Sequence, residues 1–168
     1  IDNGTCLIKT ESVINDQKFS LPIVDVVAIG AGGGSIGWID GTNILRVGPK
    51  SAGASPGPAC YGRGGQEPTV TDANVVLGYI SPEYFLGGTM KLRRDLAEKA
   101  IGERIAGPLG IGLIEAAAGI HRIVNANMAD SISYNLTRRG LDVRDFTLCI
   151  GGAAGGVHGA RMMQEASA

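Results

Sequence analysis

The chain has 168 residues, 44% hydrophobic and 18% charged, with 15 Lys plus Arg against 16 Asp plus Glu and a net charge of -1. That length allows one domain with a sizeable core, and the near-neutral balance argues against a nucleic-acid or membrane-surface partner. Glycine is the outlier, at 27 residues with no collagen period, and each one adds backbone entropy lost on folding that geometry must offset. So few charges also imply that much of the surface is covered by something else.

Cys6, Cys60 and Cys149 are far apart and odd in number, with no Cys-x-x-Cys pair and only two histidines beside them. They argue against a disulfide framework or a zinc ribbon and read as small buried thiols in a reducing, cytoplasmic compartment. No secretory signal and no run of about 18 apolar residues is visible. Ile1 is not an initiator methionine, so the chain reads as a processed product or part of something longer.

Short extended pieces fill the first 22 residues, with a polar turn at Asn15-Asp16. The run Ile23 to Ile29, rich in β-branched residues, predicts a buried strand. It stops at Gly30-Ala-Gly-Gly-Gly-Ser35. Such a run is either a tight connection packed in the core or a nest of amides for an anion, and residue types alone leave both open. Ser35 to Ile39 alternates as a strand, Asp40-Gly41 signals a turn, and Ile44 to Val47 is the return strand. Trp38 reads as a core or interface anchor, ahead of a substrate-stacking role.

Residues 48–69 hold glycines and prolines among packing residues, which predicts a long ordered loop with a function. Lys50, Arg63 and Glu67 are its charged members. A short helix is expected over Ala73 to Leu77, with Thr71 or Asp72 as its cap. A carboxylate placed near a metal or substrate is the competing reading of Asp72. A helix over 95–106, ended by Gly107-Pro108, comes next. From Leu113 to about Leu136, the stripe Leu113, Ala117, Ile120, Val124, Met128 and Ile132 predicts a long amphipathic helix. Gly112 and Glu115 have capping-box spacing without the hydroxyl, and Arg138-Arg139-Gly140 is the expected C-terminus. His121 lies off the stripe and reads as a surface or capping residue. Asp145 to Ile150 reads as a strand running into Gly151-Gly-Ala-Ala-Gly-Gly156, with a helix from about His158. Strand, glycine turn and helix N-terminus is an arrangement that holds phosphates, but neither a Rossmann spacing nor a Walker lysine is present.

Pro22-Ile-Val-Asp-Val-Val-Ala-Ile-Gly-Ala-Gly-Gly-Gly-Ser35, Val47 to Gly65 and Pro68-Thr-Val-Thr-Asp-Ala-Asn74 together resemble the hydantoinase A/5-oxoprolinase family, which includes subunits of acetone and acetophenone carboxylases. Phe85-Leu-Gly-Gly88, Arg139 to Leu148 and Gly151 to His158 continue the resemblance over nearly the whole chain. Ala154-Gly155-Gly156-Val157 departs from the family's usual Gly-Pro-Leu run, and Arg93-Arg94 stands where many members carry an acid. The resemblance implies an α/β chain, part of an actin/Hsp70-like ATPase fold. Residues 1–168 would be the C-terminal portion of a hydantoinase A-like ATPase domain, without its N-terminal phosphate-binding part and inactive alone.

What the resemblance implies for chemistry is ATP with Mg²⁺. The main expectation is hydrolysis of a cyclic amide of hydantoin or 5-oxoproline type through a phosphorylated intermediate. A ketone carboxylase subunit using bicarbonate is the alternative, and a non-catalytic packing piece is a third. Partners would be a hydantoinase B-type subunit and the rest of its own polypeptide, with no nucleic acid and no membrane. The expected cofactor-binding residues are Gly30, Gly32, Gly33, Gly34 and Ser35, then Gly151, Gly152 and Gly155. Lys50, Arg63, Asp72 and His158 are the expected catalytic residues, with Asp72 also toward the metal.

Overall fold

The computed structural model describes residues 4–14, 16–152 and 154–166. Its strands form three two-stranded antiparallel ribbons: β1 (Ile8–Lys9) with β4 (Ile23–Val24), β2 (Ser12–Ile14) with β3 (Gln17–Phe19), and β5 (Ser35–Ile39) with β6 (Leu45–Ser51). The strand expected over 23–29 is cut to its first two residues. Its ladder ends where Asp25 donates its amide to Leu7 O at 2.8 Å, and past that point no described segment pairs with it. Val26, Val27 and Ile29 are therefore exposed, at 73%, 45% and 40%.

The β5–β6 hairpin forms as its turn signals predict. Asp40 closes it by accepting bonds from the Thr42 amide and hydroxyl, the Ile44 amide and Arg46 Nε. The Thr42 hydroxyl first, and Arg46 next, hold this carboxyl well below the usual range. Asn43 takes a left-handed φ of 66°, which asparagine tolerates better than most residues. Trp38 is half exposed and donates Nε1–H to Gly48 O at 2.7 Å.

Helix α1 (Val70–Val76) begins three residues earlier than expected, because Thr69 is its cap. The Thr69 hydroxyl receives the Asp72 amide, and the Asp72 carboxylate receives the Thr69 amide, a reciprocal capping box. Helix α2 (Arg94–Ile101) runs without interruption through a π-helical segment at Gly102–Ala106 into α3 (Gly107–Leu109). Gly107-Pro108 therefore does not end this helix. The Gly107 amide reaches back five residues to Gly102 O, and Pro108, which has no amide to place, opens the last turn. Gly110, at a φ of 66°, makes the actual stop.

The 25-residue α4 (Leu113–Thr137) is the long helix the apolar stripe predicts. Gly112 gives it no side-chain cap, and Gly140, at a φ of 71°, turns the chain away at the other end. The core lies where α4 meets α1, α2 and the β5–β6 ribbon, around Val70, Val75, Ile101, Ile105, Ile120 and Val124, all 0% exposed. Two glycines let the ribbon lie flat on α4. A Cβ on Gly37 would stand 3.0 Å from Ile120 Cδ1, and one on Gly119 would stand 2.8 Å from Leu45 Cδ2.

After α4, the expected strand at 145–150 is absent. Val143–Asp145 makes one 3₁₀ turn, and the chain beyond it finds no ladder partner among the described residues. Ile150 instead folds onto α5 (Gly155–Ala166), where a Cβ on Gly155 would come within 2.7 Å of Ile150 Cγ2. Of the cysteines only Cys60 is buried; Cys6 and Cys149 are exposed, so the expectation of three buried thiols fails for two of them. No described helix is long and apolar enough to cross a membrane.

Candidate functional site

The glycine turn before β5 is pinned from three sides. The Ser35 hydroxyl accepts the Gly32 amide at 3.0 Å and donates to Gly30 O at 3.4 Å. Gly33 O accepts the Thr71 amide at 2.8 Å and the Thr71 hydroxyl at 2.9 Å, and Gly34 O accepts the Ala52 amide at 2.9 Å. A Cβ on Gly33 would lie 2.7 Å from Thr71 Oγ1, and one on Gly34 2.7 Å from Ser51 Oγ. Larger residues would push the turn off α1 and β6. With these carbonyls taken up by the fold, the amides of Gly33 and Gly34 make no backbone bond to any described residue.

Gly33 and Gly34 line a groove of about 540 Å³, faced by Tyr61 and Phe85 and closed by Ala154 and Val157 at the start of α5. The Tyr61 and Phe85 rings stand 5.8 Å apart, tilted by 44°. The two glycine-rich segments singled out in the sequence thus meet across one groove. Gly30 and Ser35 line a separate cavity of about 290 Å³ beside α4. Gly151 and Gly152 are exposed, Gly152 with a φ of 82°, while Gly155 packs on Ile150.

The four expected catalytic side chains do not converge on this groove. Lys50 is exposed on β6, and Arg63 is exposed with its guanidinium 5.9 Å from the centre of the Tyr61 ring. Asp72 is 0% exposed. Its Oδ2 accepts the Ala59 amide at 3.2 Å, the Thr69 amide at 2.9 Å and the Thr69 hydroxyl at 2.8 Å, while Oδ1 accepts the Cys60 amide at 2.7 Å. Burial, and then the Asp72 charge beside it, push the Cys60 thiol well above its usual value. Burial likewise raises the Tyr61 phenol. Among the described residues, no group of three or more His, Cys, Asp or Glu side chains is placed to hold a metal ion. With both of its oxygens taken by main-chain amides and a hydroxyl, Asp72 does not fit Mg²⁺.

His158 is 1% exposed and sits in a polar cluster inside the core. Its Nε2 lies 3.2 Å from Asn74 Nδ2 and its Nδ1 3.0 Å from Asn125 Oδ1. His121 joins from α4, with Nδ1 2.8 Å from Asn74 Oδ1 and its ring stacked on His158 at 5.0 Å. The surface reading of His121 is therefore wrong. It is half-buried, with Tyr79 against its ring at 4.9 Å. Burial, then the proximity of His121, pull the His158 imidazole down to about 4; burial, then Arg161, lower His121. The sequence reading passed over Asn74 and Asn125. The available signal was His121 and Asn125 one helical turn apart, with Asn125 adjoining the apolar stripe.

The folded chain superposes on two solved enzymes. Against the ATP-dependent caprolactamase from Pseudomonas jessenii the TM-score is 0.83 at 46% identity, over 95% of this chain and 23% of the other. Against nucleotide-free acetone carboxylase it is 0.81 at 34% identity, over 92% and 22%. This is an α/β fold related to the actin/Hsp70-like ATPases, as the resemblance implied. The chain belongs to the hydantoinase/oxoprolinase family, whose model matches residues 1–167. It is 51% identical to the acetophenone carboxylase gamma subunit of Aromatoleum aromaticum, over 87% of this chain and 20% of the relative. It is 49% identical to the caprolactamase subunit alpha of Pseudomonas jessenii, over 88% and 21%. The chain thus spans about a fifth of the length of these relatives.

Proposed function

We propose that this chain contributes the glycine-turn side of a nucleotide site in an ATP-dependent enzyme, and that the enzyme is a ketone carboxylase of the acetone or acetophenone type. The observation that carries the nucleotide reading is the groove itself. Gly33 and Gly34, whose amides have no backbone partner among the described residues, line it opposite Ala154 and Val157 at the start of α5, and Tyr61 and Phe85 form an aromatic side. Amides free of backbone partners suit anionic oxygens, and a turn leading into a β-ribbon is a natural phosphate grip. ATP, when bound, would supply the phosphoryl group that activates a poorly reactive substrate. The chain's own part is positional: Thr71 and Ser35 hold the turn, Gly33 and Gly34 present their amides, and Tyr61 with Phe85 keeps water from one face.

The carboxylase reading is favoured over the hydantoin or 5-oxoproline reading by likeness. The 5-oxoprolinases of Pestalotiopsis fici, Dictyostelium discoideum and Arabidopsis thaliana are only 31–35% identical to this chain, against 51% for the acetophenone carboxylase subunit. Cyclic-amide hydrolysis stays as a second reading because the caprolactamase subunit stands nearly level at 49%. Several relatives are named as subunits, which supports a hetero-oligomer with a B-type partner. Mg²⁺ would then be held mainly by residues outside this chain.

The test is phosphate release from Mg-ATP by the full-length polypeptide with its partner subunit. Release that needs both bicarbonate and acetone or acetophenone supports the carboxylase. Release with caprolactam, hydantoin or 5-oxoproline and no bicarbonate replaces it with the hydrolase. No release from any mixture overturns both and leaves the packing role.

A further inference from the structure

The polar cluster around His158 has a fixed direction, and one main-chain group sets it. Asn125 Nδ2 donates to the His121 carbonyl at 2.7 Å, so Asn125 must turn its Oδ1 to His158 Nδ1, which therefore carries the proton. A neutral His158 then offers Nε2 as an acceptor. Asn74 Nδ2 donates to it, leaving Asn74 Oδ1 to accept from His121 Nδ1–H. The chain of bonds starts at the His121 carbonyl and returns to the His121 ring. It joins three helices: Asn74 from α1, His121 and Asn125 from α4, and His158 from α5.

Run in this direction, the ring of bonds has no acceptor for a second proton on His158, and taking one up requires Asn74 to flip its amide and His121 to change tautomer. The groups against His158 are the Asn74 and Asn125 amides and the His121 ring, while Arg161, one turn along α5, acts on His121. Tyr79 and Arg122 stand farther out around His121. Glu165, the nearest acid on α5, is engaged with Arg161 at 3.3 Å. A proton on His158 Nε2 would point at the Asn74 N–H, and the buried cation would have only amides and other bases around it. The helix it belongs to opens with the turn that closes the groove, at Ala154 and Val157.

We propose that His158, Asn74, Asn125 and His121 are positioning residues that clasp the first turn of α5 to α1 and α4, and that proton uptake by His158 releases this turn and weakens ligand binding in the groove. The second half rests on the nucleotide reading above; the first half does not.

Two measurements on the full-length polypeptide separate them. Amide hydrogen exchange over 155–160, corrected for intrinsic rate, reads the clasp directly. Between pH 7.5 and pH 5, local opening should rise about thirtyfold in the wild type through proton linkage. It should be nearly flat in His158→Gln, while Asn74→Asp, which puts a carboxylate between the two rings, should move the opening to lower pH. Flat wild-type exchange, or the same pH profile in all three proteins, overturns the clasp. Calorimetric titration with Mg-ATP gives the second reading, with affinity expected to fall severalfold at pH 5 in the wild type and much less in Asn74→Asp. Opening of α5 that rises at pH 5 with unchanged Mg-ATP affinity overturns the link to the groove, and no Mg-ATP binding at any pH overturns the nucleotide reading while exchange still decides the clasp.

Discussion

Cys60 donates its main-chain amide to Asp72 Oδ1 at 2.7 Å across twelve residues of chain. Through this bond and its neighbours, one buried carboxylate ties the 59–61 turn to the start of α1. Asp72→Asn puts an NH₂ where the protein offers only donors. Each unsatisfied buried group costs about 1–3 kcal/mol, so a loss of that order is expected in chemical denaturation, with Asp72→Ala at least as severe. An Asp72→Asn protein of wild-type stability that lost only Mg²⁺-dependent activity would restore the catalytic reading of this residue.

Gly65 supports the same loop by close approach. A Cβ there would stand 2.2 Å from Gly57 O, a backbone atom that cannot swing aside. Gly65→Ala should destabilise by roughly 1–3 kcal/mol, the usual range for overpacking. Gly41→Ala, with open space around it, is the matched control and should melt with the wild type.

Thr71 bonds Gly33 O through both its amide and its hydroxyl. Thr71→Val keeps the shape and removes only the hydroxyl bond, at a net cost of about 0.5–1.5 kcal/mol. If the glycine turn grips a nucleotide, Mg-ATP affinity in the full-length polypeptide should fall more than stability does. An affinity that merely tracks stability would speak against the grip.

The buried histidine makes stability depend on pH with a definite sign. His158 is pulled from its ordinary 6.5 to about 4 in the fold, so between those values the unfolded chain binds more protons than the folded one. The stabilisation from keeping this ring neutral is complete above pH 6.5 and is lost progressively as pH falls toward 4, on the order of 3 kcal/mol in all. Urea midpoints taken from pH 7.5 to 4.5 should decline, and His158→Gln should flatten the decline. A midpoint that rises on acidification would contradict the burial of a neutral ring.

What could be read from the sequence was what depends on neighbours along the chain. The stripe from Leu113 to Ile132 needs only helical period, and the Asp40-Gly41 turn needs only local chemistry. The failures are long-range. Ile23 to Ile29 has the residues of a strand but pairs only at Ile23 and Val24, and 145–150 has no strand beside it among the described residues. The glycine turn and the start of α5 lie more than a hundred residues apart, so residue types and spacing could not show that they face each other, and only the family resemblance put both at one nucleotide. His121 looked like a surface residue because its partners, Asn74 and His158, come from two other helices. Neither Thr71 nor Asp72, the expected caps, holds the N-cap position, which is Thr69, and Asp72 serves instead as the third-position partner of its capping box.

The widened turn at Gly102–Ala106 has a consequence for phase. A helix that takes one extra residue in a turn shifts everything after it by about 100° relative to an unbroken α-helix. Here that shift lets Ile105 and Ala106 both reach the core while Arg104 points out to Glu67 at 2.9 Å. The segment thus behaves as a one-residue insertion already absorbed into the fold. Deleting any single residue within it would restore a plain α-helix and leave Leu109 and the entry to α4 on their present bearing, whereas inserting a further residue would turn them by about 100°. At this place the fold can lose one residue without changing direction, which it cannot do in an unbroken α-helix.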